Sequence, residues 1–341
     1  MRKQSRTIVA VLVGLVGIAA VGSVAFAGNG DRRELNGTIW VANRGAGAHT
    51  IRGFDAATGD VVATIAMAPN SQPGDLAYAK GKLYVSEEFG SPPAIAIVDA
   101  VTGEVLKRIF TGPRPHHVHA SVGGKLIAYG VFGTNKVGVI DTSSDTLLGE
   151  WTASTNPAAR SHAGVFSKDG SVVYVANDVV DELSAVDPTT GELLWSMTVP
   201  NAHELAVTHD GKTAYVSCRA GNALRVVDLD RHVITATIPL GPTPDTLQLS
   251  ANEKLLTVGL RGTPAQVAII DTDTFAIDIV TIGGPGTIAG HQWTSPNGHF
   301  TFAAFEGPGA GVAVIDHRLG NAIVQTLDYP GRPHGVDFAR P

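Results

Sequence analysis

The sequence predicts an all-β fold, a seven-bladed β-propeller with four-stranded blades closed by its N- and C-terminal strands. Three observations predict it: a repeat of about 43 residues, strand-like segments with hairpin signals in each repeat, and an unusual composition. The 341 residues include 40 Gly and 19 Pro but only 3 Met, which favours many short strands and turns over helices. All-β folds of this length are often one domain.

Aspartates that close alternating apolar segments mark the repeat. Neighbouring members of this set are 41 to 46 residues apart, which is the length of one propeller blade. After several of them Thr and Gly follow at the third and fourth positions, as in Thr58-Gly59, and this predicts an Asx-type turn into the next strand. The set comprises Asp55, Asp99, Asp141, Asp187, Asp228, Asp271 and Asp316.

Earlier in each repeat a second strand recurs, for example over residues 39–43 and 173–177. Asp-Gly and Asn-Gly pairs come before several of these strands, at Asp169, Asp210 and Asn297, and such pairs are the strongest short hairpin signals. The first repeat begins at Gly37 without an innermost strand, whereas residues 333–338 form an innermost strand with no blade after it. We therefore expect these two ends to pair, which removes two open sheet edges.

The N-terminus is predicted to be a signal peptide, residues 1–27. Arg2, Lys3 and Arg6 precede an apolar run over residues 8–24, and Ala25-Phe26-Ala27 provides a small-x-small cleavage pattern. A membrane anchor is the alternative, because the run approaches the length that spans a bilayer. Cleavage predicts a secreted or periplasmic protein without a membrane segment, with a short linker over residues 28–36 and one propeller domain over residues 37–341.

The charge and the cysteine count exclude several classes of partner and site. A net charge of −6 and an isoelectric point near 6.0 argue against nucleic acid and anionic membranes, which need a basic surface. Cys218 is the only cysteine, so a disulfide framework and a Cys-rich zinc module are excluded. The mature protein is expected to be a monomer.

Histidines recur at the starts of the innermost strands. Counting back from the Ser or Thr before each hairpin places one His or Asp in the same slot of nearly every repeat. Because the innermost strands surround the central channel of a propeller, we expect these side chains to meet at one channel mouth. The slot residues are His116, His162, His203 and His334, with His291 offset by one residue, and the carboxylates Asp75 and Asp245.

Such a ring predicts a transition-metal site. Close-packed imidazoles cannot all be charged, and a neutral imidazole is a good ligand for Zn, Cu, Fe or Ni; Zn is the first expectation and Cu the second. His117 is predicted to be a further ligand or to support one, and Asp75 and Asp245 either to ligate or to orient an imidazole. A single His at a strand start is more often a satisfied polar residue, and His119 is assigned to packing between blades.

Charged residues that follow the second strands share the face of the ring. Arg219 and Arg261, on neighbouring blades, are predicted to bind a carboxylate or phosphate group. Glu87 and Glu306 are the candidates for a general base if the site is catalytic. The alternative interpretation is a solvated rim, to which Arg44, Glu88 and Asp178 also belong.

The repeated sequence motif resembles that of the YVTN-repeat family of seven-bladed propellers. The resemblance is carried by Tyr-Val-x-Asn before the third strand, as in Tyr174-Val175-Ala176-Asn177, and by the turn that begins at Ile140-Asp141. It covers residues 37 to 340 and implies a fold rather than a function.

Three classes of function remain open. With histidines at its channel, the chain looks like the zinc metallochaperones of zinc ABC transporters, which implies a metal ion and a solute-binding protein as partners. The catalytic domain of nitrous oxide reductase, lactonases and streptogramin lyases are also similar propellers, which implies a metal-dependent hydrolase, lyase or oxidoreductase with a small anionic substrate. The third class is a scaffold that binds a protein or a polysaccharide, so the sequence leaves open whether the protein is an enzyme.

Overall fold

The structure, a computed structural model, describes residues 35–45 and 49–340. Within them, 28 β-strands form seven four-stranded antiparallel sheets, so the predicted seven-bladed propeller is confirmed. The predicted signal peptide, residues 1–27, and most of the linker over residues 28–36 lie outside the described residues. None of the described residues forms a helix with the length and hydropathy needed to cross a bilayer.

Each blade takes four strands in radial order. Blade 1 begins with β1 (Thr38–Asn43), β2 (Thr50–Asp55) and β3 (Val61–Ala66). Blade 2 contains β4 (Pro73–Ala79), β5 (Lys82–Glu87), β6 (Ala94–Asp99) and β7 (Val105–Phe110). Blade 3 contains β8 (Pro115–Ala120), β9 (Leu126–Val131), β10 (Lys136–Asp141) and β11 (Thr146–Thr152). Blade 4 contains β12 (Arg160–Phe166), β13 (Val173–Asp178), β14 (Glu182–Val186) and β15 (Leu193–Thr198).

The remaining blades follow the same order. Blade 5 contains β16 (Ala202–Val207), β17 (Thr213–Cys218), β18 (Ala223–Asp228) and β19 (Val233–Pro239). Blade 6 contains β20 (Pro244–Leu249), β21 (Leu255–Leu260), β22 (Gln266–Asp271) and β23 (Ile277–Thr281). Blade 7 contains β24 (Ile288–Thr294), β25 (Phe300–Glu306), β26 (Gly311–Asp316) and β27 (Ala322–Asp328), with a 3-10 turn at His317–Leu319. The last strand, β28 (Pro333–Ala339), is the innermost strand of blade 1.

The two ends of the chain close the ring, as predicted. Strand β28 pairs antiparallel with β1, with Val336 opposite Val41 and Phe338 opposite Ile39. Val41 and Val336 are buried in one apolar cluster with residues of blade 7, so the closing strand also joins blade 1 to its neighbour. Closure gives β1 a partner on its inner edge and pairs one edge of β28, so neither end strand is left without a neighbour.

Local turn chemistry explains the regular spacing of the strands. The carboxylate of Asp99, at the end of β6, accepts hydrogen bonds from the backbone N–H groups of Val101 (2.8 Å) and Thr102 (2.7 Å). These bonds hold the pKa of Asp99 below its ordinary value. At the hairpins between the first and second strands, Gly170 and Gly211 have φ values of +75° and +72°, which glycine adopts without strain. The Asx turns and hairpins predicted from the sequence are confirmed.

The apolar core lies between neighbouring blades. One buried cluster, for example, combines Tyr84 and Ile97 of blade 2 with Val118 and Ile127 of blade 3. The second strands are almost wholly buried, whereas the outermost strands alternate between exposed and partly buried positions, as in β15. The innermost strands pack against these second strands and against the innermost strands of neighbouring blades, and this fixes the side chains that line the channel.

Candidate metal centre

Every innermost strand breaks its pairing near one end of the channel. In blade 4, Ser161 pairs with Asn177 while Ala163 pairs with Ala176, so His162 has no partner across the strand. An extra residue of this kind is a β-bulge, which kinks the strand and redirects the side chain. Corresponding shifts in the other six blades enclose Asp75, His117, His203, Asp245, His291 and His334.

The bulge of blade 3 corrects one sequence assignment. His116 pairs with Gly130 and Val118 pairs with Tyr129, so the bulged residue is His117, with a φ of +39°, rather than His116. Counting along the sequence placed His116 in the shared slot because the position of a bulge is not visible in the residue count. His117 is buried, with 3% of its surface exposed, and His116 lies beside it, nearer the channel mouth.

Three imidazoles form a compact group, which we call the three-histidine cluster: His116, His117 and His162. Their ring centroids are 4.3 Å apart for His116 and His117, 4.6 Å for His116 and His162, and 4.2 Å for His117 and His162. The Nε2 atoms of His116 and His162 are 3.2 Å apart. Two neighbouring blades therefore contribute to one cluster.

The other predicted ring histidines extend this cluster on both sides. The ring of His203 lies on that of His162, with centroids 3.6 Å apart. On the other side the ring of His291 lies 4.4 Å from that of His117, and the ring of His334 lies 4.5 Å from that of His291. The structure thus brings together all five histidines of the predicted ring, and His117 lies between its two halves.

Glu204 is the carboxylate at the centre of the channel. Its Oε2 lies 2.5 Å from Nδ1 of His117 and 3.6 Å from Nδ1 of His162, and its Oε1 lies 3.6 Å from Nε2 of His119. The assignment of His119 to packing between blades is therefore wrong, because its ring faces Glu204 and lines the channel. Glu204 was not among the predicted site residues. Its signal was a carboxylate next to His203 in strand β16, whose other residues are apolar.

Carboxylates also face the remaining imidazoles. Each of these acids lies on a different blade from the histidine that it contacts, so each pair depends on how the blades pack around the channel. The pairs are Glu88 Oε2 with His116 Nδ1 at 3.3 Å, Asp75 Oδ1 with His291 Nδ1 at 3.1 Å, and Glu306 Oε1 with His334 Nδ1 at 2.9 Å.

His203 differs from the others because acids face both of its ring nitrogens. Nε2 lies 2.7 Å from Oδ1 of Asp245, and Nδ1 lies 3.4 Å from Oδ2 of Asp178. Asp245 also contacts Arg219 and Arg261. Asp245 thus orients an imidazole, one of the two roles predicted for it, while its own charge is balanced by the two arginines.

Burial and neighbouring charges shift the pKa values of the buried histidines in different directions. Burial, together with the neighbouring histidines, holds the pKa values of His117 and His162 well below the ordinary value. Burial opposes ionisation of Glu204, but His119 and His162 outweigh it and lower the pKa of that carboxyl. Burial also opposes the charged form of His203, but Asp178 and Asp245 raise its pKa.

The donor atoms fit a metal ion at three overlapping places. In each, three donor atoms lie within 4.8 Å of one another, and His117 belongs to all three. The buried Nε2 of His291 and Nδ1 of His117 and His162 have no aligned hydrogen-bond partner. The three groups are His116, His117 and His162; Asp75, His117 and His291; and His117, His119 and Glu204.

A cavity of about 380 Å³ and a second of about 350 Å³ occupy the two halves of the channel, and His117 lines both. The smaller one, which we call the mouth cavity, also reaches His116 and His162. As predicted, Arg219 and Arg261 lie at this mouth.

The two candidate bases lie in different surroundings. Glu87 forms hydrogen bonds with Arg108 of the outermost strand β7, at 2.9 Å and 3.2 Å, whereas the next residue, Glu88, contacts His116. Strand alternation turns consecutive side chains to opposite faces, so Glu88 occupies the channel position for which Glu87 was proposed. Glu306 lies at the mouth, where Oε1 contacts His334 and Oε2 accepts from Arg332 at 2.7 Å.

Comparisons with known proteins agree with this architecture. A protein of Mycobacterium tuberculosis described as a seven-bladed β-propeller protein is 35% identical over 128 residues, which is 36% of this chain and only 33% of that relative. The structure of a proposed 6-phosphogluconolactonase of Bacteroides fragilis has a TM-score of 0.72 at 16% identity, covering 89% of this chain and 98% of the other. Hydrazine synthase of Kuenenia stuttgartiensis has a TM-score of 0.64 at 19% identity, covering 87% and 90%.

At these identities the two structural likenesses show the fold alone. A sequence model of one family is more informative, because it matches residues 79–254, more than half of the 341 residues. This segment runs from the end of the first strand of blade 2 into blade 6 and includes the three-histidine cluster. The chain therefore belongs to the YncE-like β-propeller family.

Proposed function

We propose that the protein binds one transition-metal ion at the three-histidine cluster. The observation that carries the proposal is that His117 belongs to each of the three groups of converging donor atoms. His116 and His162 complete the group nearest the mouth cavity. We prefer His116, His117 and His162 as ligands over His203, because both ring nitrogens of His203 already face acids.

The orientation of the three rings supports this ligand set. The carboxylate oxygen nearest to Nδ1 lies 3.3 Å away for His116, from Glu88, and 2.5 Å and 3.6 Å away for His117 and His162, from Glu204. This arrangement leaves Nε2 of each ring for an ion. Histidine ligands of metals usually have such a partner on the second nitrogen. Two nitrogens bound to tetrahedral zinc at about 2.0–2.1 Å are roughly 3.3 Å apart, close to the 3.2 Å between the Nε2 atoms of His116 and His162.

The chemistry of the donors favours Zn first and Cu second. Neutral imidazoles suit both ions, and the lowered pKa values of His117 and His162 keep these rings neutral at pH 7. Asp75 and His291 lie next to the cluster, on the far side of His117, and form an alternative position for the same ion.

Three protein ligands beside an open cavity are typical of a site that keeps a position for exchange or reaction. We infer that the protein carries the ion outside the cytoplasm, in the manner of a metallochaperone. The predicted signal peptide supports the location, and a solute-binding protein of a metal transporter is the proposed recipient. A zinc-dependent reaction on a small anion is the second candidate, and the arginines of the mouth cavity favour it.

The test uses the mature chain, residues 28–341, purified without added metal. We expect about one bound Zn per chain, and a loss of zinc affinity of roughly 100-fold or more in His117→Gln. Elemental analysis gives the stoichiometry, and competition with a coloured chelator gives the affinity. His209→Gln is the matched control, because His209 lies in an exposed hairpin beside Glu253.

The proposal is wrong if the wild-type chain holds no metal after incubation with Zn and with Cu, or if His117→Gln binds as well as the wild type. Activity separates the two candidate roles. A carrier binds zinc reversibly and acts on no small molecule, whereas an enzyme turns over a small anion only when zinc is bound.

A further inference from the structure

Arginines crowd the mouth cavity beyond what its acids balance. Five guanidinium groups line the cavity, and three carboxylates contact them, Glu88, Asp245 and Glu306. Five arginines and three carboxylates leave an excess of two positive charges. Asp178, which faces His203 and is close enough to Arg219 for their charges to interact, lowers this excess to one. The arginines are Arg44, Arg114, Arg219, Arg261 and Arg332.

Most of this charge lies along one arc of the mouth. Glu306 is shared by Arg44 at 2.8 Å, Arg332 at 2.7 Å and, more distantly, Arg261 at 3.9 Å. Burial, Arg261 and Arg332 lower the pKa of Arg44 despite the attraction of Glu306, as expected for cations held close together. These arginines and Arg219 lie next to the ends of strands in blades 1, 5 and 6. We call the four residues Arg44, Arg219, Arg261 and Arg332 the cationic arc.

Arg219 has a donor that the protein does not use. Its terminal nitrogen contacts Asp245, but its Nε is buried without a hydrogen-bond partner. An unpaired buried donor costs roughly 1–3 kcal/mol. A guanidinium is suited to binding a carboxylate or phosphate through two parallel hydrogen bonds, so an oxyanion in the cavity could occupy this donor.

Across the mouth, blades 2 and 3 supply an aromatic wall. Arg114 lies over the rings of Phe89 and Phe132, at 5.3 Å and 4.6 Å from their centroids. Phe89 is 49% exposed, which is unusual for a large apolar side chain that lines a cavity. Phe132 also contacts the rings of His116 and His162. The mouth therefore has one side with four of the five arginines and an aromatic side that carries Arg114.

We propose that the mouth cavity binds a small organic anion, whose oxyanion group lies on the cationic arc and whose apolar part packs against Phe89 and Phe132. A cavity of about 350 Å³ is within the range that holds small ligands, roughly 300–1,000 Å³. The ligand lies directly above the three-histidine cluster. The proposed contacts are made by arginines and phenylalanines alone, so the proposal does not involve the metal.

The experiment uses metal-free mature chain, kept in chelator, with inorganic phosphate and phenyl phosphate as probes. Isothermal titration calorimetry should show that both bind and that phenyl phosphate binds more tightly. Arg332→Gln, at a side chain 51% exposed, should weaken both probes about tenfold, the effect of one charged hydrogen bond. Phe89→Ala should weaken phenyl phosphate about fivefold and leave inorganic phosphate unchanged.

Arg231→Gln is the matched control, because it removes the same charge from an exposed turn between β18 and β19, at the opposite face of blade 5. Binding of both probes should survive this change. The proposal is overturned if neither probe binds at millimolar concentration, if Arg332→Gln and Arg219→Gln both bind as the wild type does, or if Phe89→Ala does not distinguish the two probes. Because metal is excluded throughout, these outcomes are independent of the zinc measurement.

Discussion

Two aspartates in the channel, the buried Asp75 and the partly buried Asp337, show how a partner, rather than burial alone, decides the charge of a side chain. Burial acts against the ionised form of both Asp75 and Asp337. His291 outweighs burial at Asp75 and lowers the pKa of that carboxyl. At Asp337, burial prevails over two hydrogen bonds, from the backbone N–H of Tyr78 at 2.6 Å and of Phe338 at 2.8 Å, and raises its pKa to about 6.

Asp337→Asn should therefore change how stability depends on pH. The pKa of this carboxyl is about 3.9 in the unfolded chain, so between pH 4 and 6 the folded protein binds more protons than the unfolded one. Its contribution to the free energy of unfolding falls as pH rises through that window. Relative to wild type, the variant should gain about 1 to 1.5 kcal/mol from pH 5 to pH 7.5. Urea unfolding at both pH values checks this, with the exposed Asp230→Asn as control; a difference independent of pH would contradict it.

At the scale of the element, glycines beside the channel let strands of neighbouring blades approach closely. A Cβ at Gly335 of β28 would lie 2.6 Å from Cα of Asp75 in β4. At Gly130 of β9 it would lie 2.4 Å from the carbonyl oxygens of Ser161 and His162. Both glycines are next to bulges that carry site residues, so backbone contact between blades positions these side chains.

We expect Gly335→Ala to push blades 1 and 2 apart. The added methyl group meets backbone, which cannot move aside without displacing Asp75, and overpacking of this kind costs about 1–3 kcal/mol. Chemical unfolding should show this loss, and the affinity for zinc should fall because Asp75 supports His291 beside His117. Gly284→Ala is the control, because a Cβ there meets nothing within 4 Å. Equal behaviour of the two variants would contradict the prediction.

At the scale of the whole molecule, one strand contributes to the closing sheet, to the packing between blades and to the candidate site. Strand β28 completes blade 1, packs against the neighbouring blades and carries His334. Through Asp337 it also accepts a hydrogen bond from blade 2. We therefore expect the stability of a ring of more than 300 residues to depend on this short strand.

Removal of residues 330–341 should lower the melting temperature by roughly 10 °C or more, because β1 loses its partner and the apolar cluster at the seam is exposed. Circular dichroism on heating measures the change. A synthetic peptide of residues 330–341 should restore much of the stability, whereas a scrambled peptide of the same composition should not. Unchanged melting of the truncated chain would show that closure by β28 is dispensable.

The sequence by itself determined the architecture. The aspartates of the Asx turns, such as Asp99, act on N–H groups two and three residues ahead, and the hairpin glycines act on their own φ angle. These effects are local, so the residues that cause them recur in the sequence once per blade. The pairing of the two ends followed because each end of the sequence was an incomplete blade.

Only the tertiary structure decided the centre of the site. Whether His116 or His117 is the bulged residue depends on the register between β8 and β9, which no local count reveals. Glu204 contacts His117 from a strand two blades away, and strand alternation placed Glu88 rather than Glu87 beside His116. These contacts exist only because seven innermost strands converge on one axis, which brings together side chains that are far apart along the chain.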